Sequence, residues 1–181
     1  MNTDFLYNKA MGKIFINDNQ LQDWVDASEE IKERFGIEKA LGYLIGEKFY
    51  NLVGTLHAAQ TMVRAIDDKR KEPEYNPISI ARYNDREIIT NFNDMYESRR
   101  ELITEVKDLL GRFVVSIMEV YTPHAIRQYF ESHPRLGVYG HVISDEQYEF
   151  LLEQGAIEHS LETEVEDALI FGDMLKYFGV S

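Results

Sequence analysis

The 181-residue chain contains no cysteine, and this absence excludes several kinds of chemistry. A chain without thiols has no disulfide, no zinc–thiolate site, no cysteine-bound iron–sulfur cluster and no cysteine nucleophile. The motifs G-x-x-x-x-G-K-[ST], G-x-G-x-x-G, H-E-x-x-H and G-x-S-x-G are also missing. Their absence lowers the expectation of an NTPase, a Rossmann enzyme, a zinc protease or an α/β-hydrolase. Whether the protein is an enzyme of another kind stays open.

Positive charge is scarce, and one long stretch has none. The chain carries 32 Asp and Glu against 19 Lys and Arg, a formal net charge of −13. No Lys or Arg occurs between Leu136 and Leu175, and residues 136–181 hold ten acids and one base, a charge of −9. A strongly acidic chain is repelled by phosphate backbones. We therefore expect no direct binding to nucleic acid.

Long hydrophobic runs are absent as well. The first eighteen residues are interrupted by Asp4, Lys9 and Lys13 and contain no apolar run of signal-peptide length. The densest apolar stretch, Ala168–Phe178, is too short to span a bilayer core of about 30 Å. The composition, 44% hydrophobic and 28% charged, is that of a soluble globular protein. We expect a cytoplasmic protein with no membrane contact.

Apolar residues recur at helical spacing over most of the chain. This pattern predicts a first helix from about Asp18 to Phe35, ended by Gly36, and an unbroken second helix from Ile37 to about Asp68. The prolines of Lys69–Tyr83 predict a connecting loop. A third helix is predicted from a cap at Asn84 to about Val120, with Ile88 on its apolar face.

The remaining helices are predicted to be shorter. Pro123 occupies the first position of a fourth helix, a fifth follows Ser144, and a sixth runs from Ser160 to Phe178. Strand signals are weak. The predicted fold is all-α, a helical bundle built on a long antiparallel two-helix hairpin with shorter C-terminal helices. We expect a single domain over 1–181, divided into a long-helix core at 18–121 and an acidic C-terminal helical module at 122–181.

The length of the second predicted helix creates a packing problem. A helix of about 32 residues spans roughly 48 Å, whereas a globule of this size is about 40 Å across. We expect the long helices to bend, at Gly54 and Gly111, or to project and associate with another copy. The pair Gly42 and Gly46, one turn apart, predicts a close helix contact, within the chain rather than between copies.

Two cations occupy the apolar faces of the long helices. Lys48 lies between apolar positions of the second helix, and Arg99 does so on the third. In an antiparallel hairpin the two residues come within roughly 8 Å of each other along the axis. One interpretation is an anion-binding pocket with a bidentate Arg99. The simpler alternative is that both side chains extend to solvent or pair with an acid from another helix, such as Glu47, Glu166 or Asp167.

Metal and cofactor chemistry finds little support in the sequence. A di-iron carboxylate bundle needs Glu-x-x-His on two helices, and the chain contains no such motif. His124 and His133 lie on opposite faces of the predicted fourth helix, so they cannot share an ion. We expect no metal site and no cofactor, and we leave catalytic residues unassigned.

The acidic C-terminal region is a candidate partner-binding surface. Such a surface docks on a basic partner with fast, salt-sensitive association, although a run of acids equally serves as a solvated face. The candidate partner-binding residues are Asp145, Glu146, Glu149, Glu153, Glu162 and Glu166.

Three hypotheses of function remain. The leading one is a regulatory or protein-interaction protein that acts by binding a protein partner or by forming a homo-oligomer. The second is a small-molecule-binding or enzymatic helical bundle with an anionic ligand at Lys48 and Arg99. The third is an acidic inhibitor that mimics nucleic acid toward a DNA-binding protein.

Overall fold

Helices make up most of the described protein. A computed structural model describes residues 17–132, 146, 149–150, 153, 170 and 172–179. Its elements are α1 (Asp18–Phe35), α2 (Ile37–Leu41), a π-helix (Gly42–Phe49), α3 (Tyr50–Arg70), β1 (Ile78–Tyr83), β2 (Arg86–Asn91), α4 (Phe92–Val120) and α5 (Pro123–Ser132). The mainly helical fold is therefore confirmed. Within these residues, no helix combines the length and apolar character that a membrane crossing requires.

Local capping explains the helix boundaries that the sequence predicts correctly. The Asn17 side chain accepts a backbone N–H of the first turn of α1 at 3.1 Å. Gly36, at a φ of 95°, ends α1, because a side chain is disfavoured in that conformation. At α5 the Thr122 hydroxyl accepts the N–H of Ala125 at 3.1 Å. These ends depend on neighbours in the chain, so a sequence pattern can locate them.

The predicted unbroken second helix is wrong in its middle, where residues 42–49 form a π-helix. A π-helix bonds each residue to the fifth one along the chain, and the wider turn shifts the positions that face the core. Leu44, Ile45, Lys48 and Phe49 are all buried on this segment. Gly54 and Gly111, the predicted bend points, lie inside the helices α3 and α4, and a bend at either position stays a prediction.

A β-hairpin replaces part of the predicted loop and the start of the predicted third helix. β1 and β2 pair antiparallel, with Ile80 opposite Ile89. The turn residues Asn84 and Asp85 have φ values of 48° and 61°, as a two-residue type I′ turn requires. Asn84 is therefore a turn residue and not a helix cap, and α4 begins only at Phe92.

The described residues fall into two compact units. The hairpin unit comprises Thr55–Asp108, and the larger unit comprises the described parts of 16–54 and 109–181. The hairpin unit has a small core of its own, made of Leu56, Ala59, Ile66, Leu102 and Val106. The single domain stays a prediction.

The larger unit is built around packed aromatic rings. The Phe49 ring lies 4.7 Å from that of Phe178 and 5.8 Å from that of Phe113, measured between centroids. Phe113 in turn lies 5.5 Å from Trp24. Rings at these separations add attraction beyond the area that they bury. The π-helix thus carries the centre of the larger unit's core.

Candidate functional site

Lys48 lies inside the larger unit, on the π-helix, with its side chain 1% exposed. Its Nζ atom is 5.4 Å from the centroid of the Trp24 ring and 5.3 Å from that of Tyr43. The same atom is 3.4 Å from a carboxylate oxygen of Glu47. We call these four residues the Lys48 cluster. The sequence located Lys48 on the apolar face, but it indicated neither aromatic neighbour.

The contacts in the Lys48 cluster supply what a buried ammonium needs. A desolvated cation over an aromatic face gains about 2 kcal/mol, and a carboxylate within ion-pair distance balances its charge. Burial raises the pKa of Tyr43 above its usual range, and the negative charge of Glu47 raises it further. The ammonium of Lys48 is therefore surrounded, within the larger unit, by two aromatic rings and the carboxylate of Glu47.

Arg99 lies on α4 in the hairpin unit and is half-buried. Lys48 belongs to the larger unit, so the two cations lie in different compact units. The anion site shared by Lys48 and Arg99 stays a prediction.

Three of the six acids predicted to bind a partner are described. Glu146, Glu149 and Glu153 are helical and exposed. The other three predicted acids, Asp145, Glu162 and Glu166, lie outside the described residues. The acidic partner surface stays a prediction.

One cavity opens between α2 and α5 in the larger unit, with a volume of about 190 Å³. Tyr129 lines this cavity and is buried. Its burial raises its pKa above the usual range, and the negative charge of Glu38 raises the pKa further. Small-molecule sites usually exceed about 300 Å³. Neither Lys48 nor Arg99 lines this cavity. The other lining residues are Ile37, Glu38, Leu41, Ala125, Gln128 and Ser132. Among the described residues, no three His, Asp or Glu come together as metal ligands do.

The β-hairpin exposes large apolar side chains on both of its faces. Ile80 and Ile89 are paired across the strands and are 63% and 64% exposed. Since side chains alternate along a strand, Ile78 shares their face, while Tyr83 and Ile88 lie on the opposite one. All five are exposed, Tyr83 the most at 68%. We call these five side chains the hairpin surface.

The base of the hairpin is fixed by contacts with the adjoining helix ends. The guanidinium of Arg70, at the end of α3, lies 4.0 Å from the centroid of the Tyr96 ring and donates to the Asn93 side chain at 3.0 Å. The hydroxyl of Tyr75 donates to the same Asn93 oxygen at 3.0 Å. A hairpin anchored in this way presents its side chains in a defined arrangement, and this lowers the ordering cost of binding.

The hairpin surface is the candidate site that the sequence interpretation missed. Two signals for it are present: the alternation of Ile78 and Ile80 with Ser79, and the two-residue turn Asn84-Asp85. The apolar residues after the turn, beginning with Ile88, also continue the helical spacing of α4. Because the helical pattern is longer than the strand pattern, the residues after the turn were assigned to the predicted third helix.

The chain matches no family model, no curated protein and no solved structure. Function is therefore inferred from the described residues alone.

Proposed function

We propose that this protein acts by binding another protein molecule through the hairpin surface. The observation that carries the proposal is the exposure of five large apolar side chains on both faces of a two-stranded sheet. An isolated hairpin is marginally stable in water, and its exposed apolar side chains gain free energy when a partner covers them. Three of these side chains, Ile78, Ile80 and Ile89, share one face, and grouped exposed apolar side chains are typical of interaction sites.

The charge of the hairpin supports the same proposal. Ile78–Asn91 contains two bases, Arg82 and Arg86, and two acids, Asp85 and Glu87. The hairpin is therefore formally neutral in a chain whose net charge is −13. Long-range repulsion between acidic proteins is weakest where such a neutral patch forms the contact.

This proposal keeps the class of function that the sequence favoured, protein binding, and adds a surface to it. The exposed acids Glu146, Glu149 and Glu153 offer a second, weaker contact region, because solvation explains exposed acids equally well. The small-molecule hypothesis has less support, since Glu47 and two aromatic rings already surround the ammonium of Lys48. No described contact favours nucleic-acid mimicry.

The absence of native cysteine allows a direct test by site-specific crosslinking. An Ile80→Cys variant carries a photoreactive crosslinker on the hairpin surface, and a Val115→Cys variant carries it on an equally exposed apolar position of α4. In an extract of the source cells, we expect specific adducts from position 80 and not from position 115. An excess of unlabelled protein should suppress these adducts.

The competition step makes the test selective. Unlabelled Ile80→Thr/Ile89→Thr double variant should compete at least tenfold less well than the unlabelled native protein, because it lacks the central apolar pair. Equal competition by both proteins, or no adduct beyond the position 115 control, would overturn the proposal.

A further inference from the structure

We infer that the hairpin binds a second copy of this chain, and that the two copies join edge to edge along β2, beside Ile89 of the hairpin surface. The inference rests on the proposed function and names its partner. It follows from three features: which backbone groups of the hairpin point outward, how its two edges differ, and the two-fold symmetry that β2 permits.

The alternation of hydrogen-bonded and non-bonded residue pairs shows which backbone groups point away from the hairpin. The N–H of Phe92 donates to the carbonyl of Pro77 at 2.7 Å, so these two residues form a hydrogen-bonded pair. In an antiparallel ladder, bonded and non-bonded pairs alternate. The backbone N–H and C=O groups of Glu87, Ile89 and Asn91 therefore point outward from β2.

The two edges of the hairpin differ in availability. On β1 the first outward N–H, that of Ile78, already donates to the Asn76 side chain at 3.0 Å. Among the described residues, no outward group of β2 is bonded in this way, and the described part of the sheet has two strands. An open edge strand is a template for another strand. β2 is the edge that a further strand joins.

A second copy fits this edge by symmetry. With a two-fold axis at Ile89, this residue faces the partner's Ile89, and the outward groups of Glu87 face those of the partner's Asn91. No like charges stand opposite each other in this register. A two-fold axis perpendicular to the sheet keeps each face on its own side. Ile80 and Ile89 of both copies then form one continuous row of four isoleucines.

The charge balance predicts an unusual salt dependence. Each copy carries −13 overall, while the contacting hairpin is neutral. Salt screens the repulsion between copies over a Debye length of about 10 Å at 0.1 M, so association should strengthen as salt is raised. A six-residue edge buries less than the roughly 1,000 Å² of a stable interface. We therefore expect a reversible dimer seen at high protein concentration.

Disulfide trapping in the full chain tests the symmetry directly. Paired residues of this kind have Cα atoms about 5.5 Å apart, within the range that a disulfide accepts. An Ile89→Cys variant should therefore form a covalent dimer on mild oxidation at least several-fold faster than Ile80→Cys or Val115→Cys. Equal rates for all three variants would overturn the inference.

Proline substitution tests the edge without removing the hairpin. Ile89→Pro deletes an outward N–H of β2, and Ile80→Pro deletes the equivalent N–H of β1 while removing an equally exposed isoleucine. In sedimentation velocity we expect Ile89→Pro to weaken the dimer at least tenfold and Ile80→Pro to weaken it far less. Circular dichroism checks that both variants fold.

The outcomes separate this inference from the proposed function. A protein that stays monomeric at all concentrations and salt levels, yet still forms specific adducts from position 80 in extract, binds a different protein; the inference then fails and the proposed function stands. A monomer without such adducts contradicts both. A dimer that weakens as salt is raised would also overturn the inference, because the contact would then depend on attraction between opposite charges rather than on a neutral hairpin.

Discussion

The two units use the same kinds of side chain in opposite ways. In the larger unit, aromatic rings and a lysine are enclosed: Phe113 is fully buried and Lys48 is 1% exposed. In the hairpin unit, isoleucines and Tyr83 face water on both sides of a two-stranded sheet. The buried apolar residues of the larger unit stabilise the fold, whereas the exposed ones of the hairpin are available to a partner.

The free energy of burial gives this comparison measurable consequences. Apolar surface gains about 25 cal/mol per Å² when it leaves water, so a side chain that is already covered contributes to folding and an exposed one does not. Substitutions in the larger unit should therefore change the free energy of unfolding. Equivalent substitutions on the hairpin surface should change association.

The largest expected effect is at Phe113. Phe113→Ala removes a ring that contacts both Trp24 and Phe49, and we expect it to lower the free energy of unfolding by about 3–5 kcal/mol. Urea denaturation followed by circular dichroism measures the change. Val115→Ala, on the exposed side of the same helix, should stay within about 0.5 kcal/mol. Similar losses at both positions would contradict the buried aromatic core.

The next effect separates the aliphatic stem of Lys48 from its charge. Lys48→Ala should destabilise by about 2–3 kcal/mol, since it leaves a cavity between Trp24 and Tyr43. Lys48→Met keeps the stem and should cost less than about 1.5 kcal/mol in the same urea experiment. If Met proves as costly as Ala, the ammonium and its contact with Glu47 carry the stability instead.

A smaller loss is expected at the buried pair of Tyr121 and Ser28. The Tyr121 hydroxyl donates to the Ser28 hydroxyl at 2.8 Å, and Ser28 donates in turn to a backbone carbonyl. Tyr121→Phe should therefore lower the free energy of unfolding by about 1 kcal/mol. Tyr83→Phe removes the same atom from an exposed hairpin residue and should leave stability unchanged. A comparable loss at Tyr83 would refute the distinction.

The larger unit should also show alkaline sensitivity. Burial raises the pKa of Tyr43, Tyr121, Tyr129 and Tyr177 above the usual value of 10.0, and all four belong to the larger unit. The folded state then holds these protons more tightly than the unfolded state. Their contribution to stability is complete below about pH 10 and is lost as the pH rises above it.

Urea midpoints measured between about pH 8 and 11 test this alkaline sensitivity. Tyr129→Phe should flatten the decline above pH 10, because it removes the most strongly shifted of these groups. Tyr83→Phe provides the matched control and should leave the slope as it is. An unchanged slope in Tyr129→Phe would show that Tyr129 does not drive the alkaline loss.

The smallest effect on stability is expected on the hairpin surface. The Ile80→Thr/Ile89→Thr double variant keeps β-branched residues in both strands, so its free energy of unfolding should change by less than about 1 kcal/mol. Its association, measured by sedimentation velocity, should weaken strongly. A large loss of stability with unchanged association would reverse the roles assigned to the two units.

Helix ends and isolated residues were the most predictable features. Gly36 ends α1 and Pro123 begins α5 as the sequence predicts, because both act on neighbours a few positions away. The burial of Lys48 likewise follows from helical spacing. Its aromatic contacts do not, because Trp24 comes from another helix and spacing within one element cannot indicate it.

The π-helix and the hairpin were less predictable, for two physical reasons. The residues of the π-helix carry an ordinary helical pattern, and only their packing in the core favours the wider turn. For the hairpin, the strand pattern of Ile78–Tyr83 is shorter than the helical pattern beyond it, so the helical interpretation extended back to Asn84. In the structure, Asn84 and Asp85 form a type I′ turn between two strands, and the helix begins only at Phe92.

The sequence by itself determined the helical character, the capped ends and the concentration of acid after Leu136. These properties depend on composition and on contacts a few residues apart. Only the tertiary structure decided which apolar side chains are covered, because burial requires partners distant in the chain, such as Tyr121 and Ser28, which are 93 positions apart. The hairpin isoleucines find no such cover among the described residues, and that difference makes the hairpin the candidate binding surface.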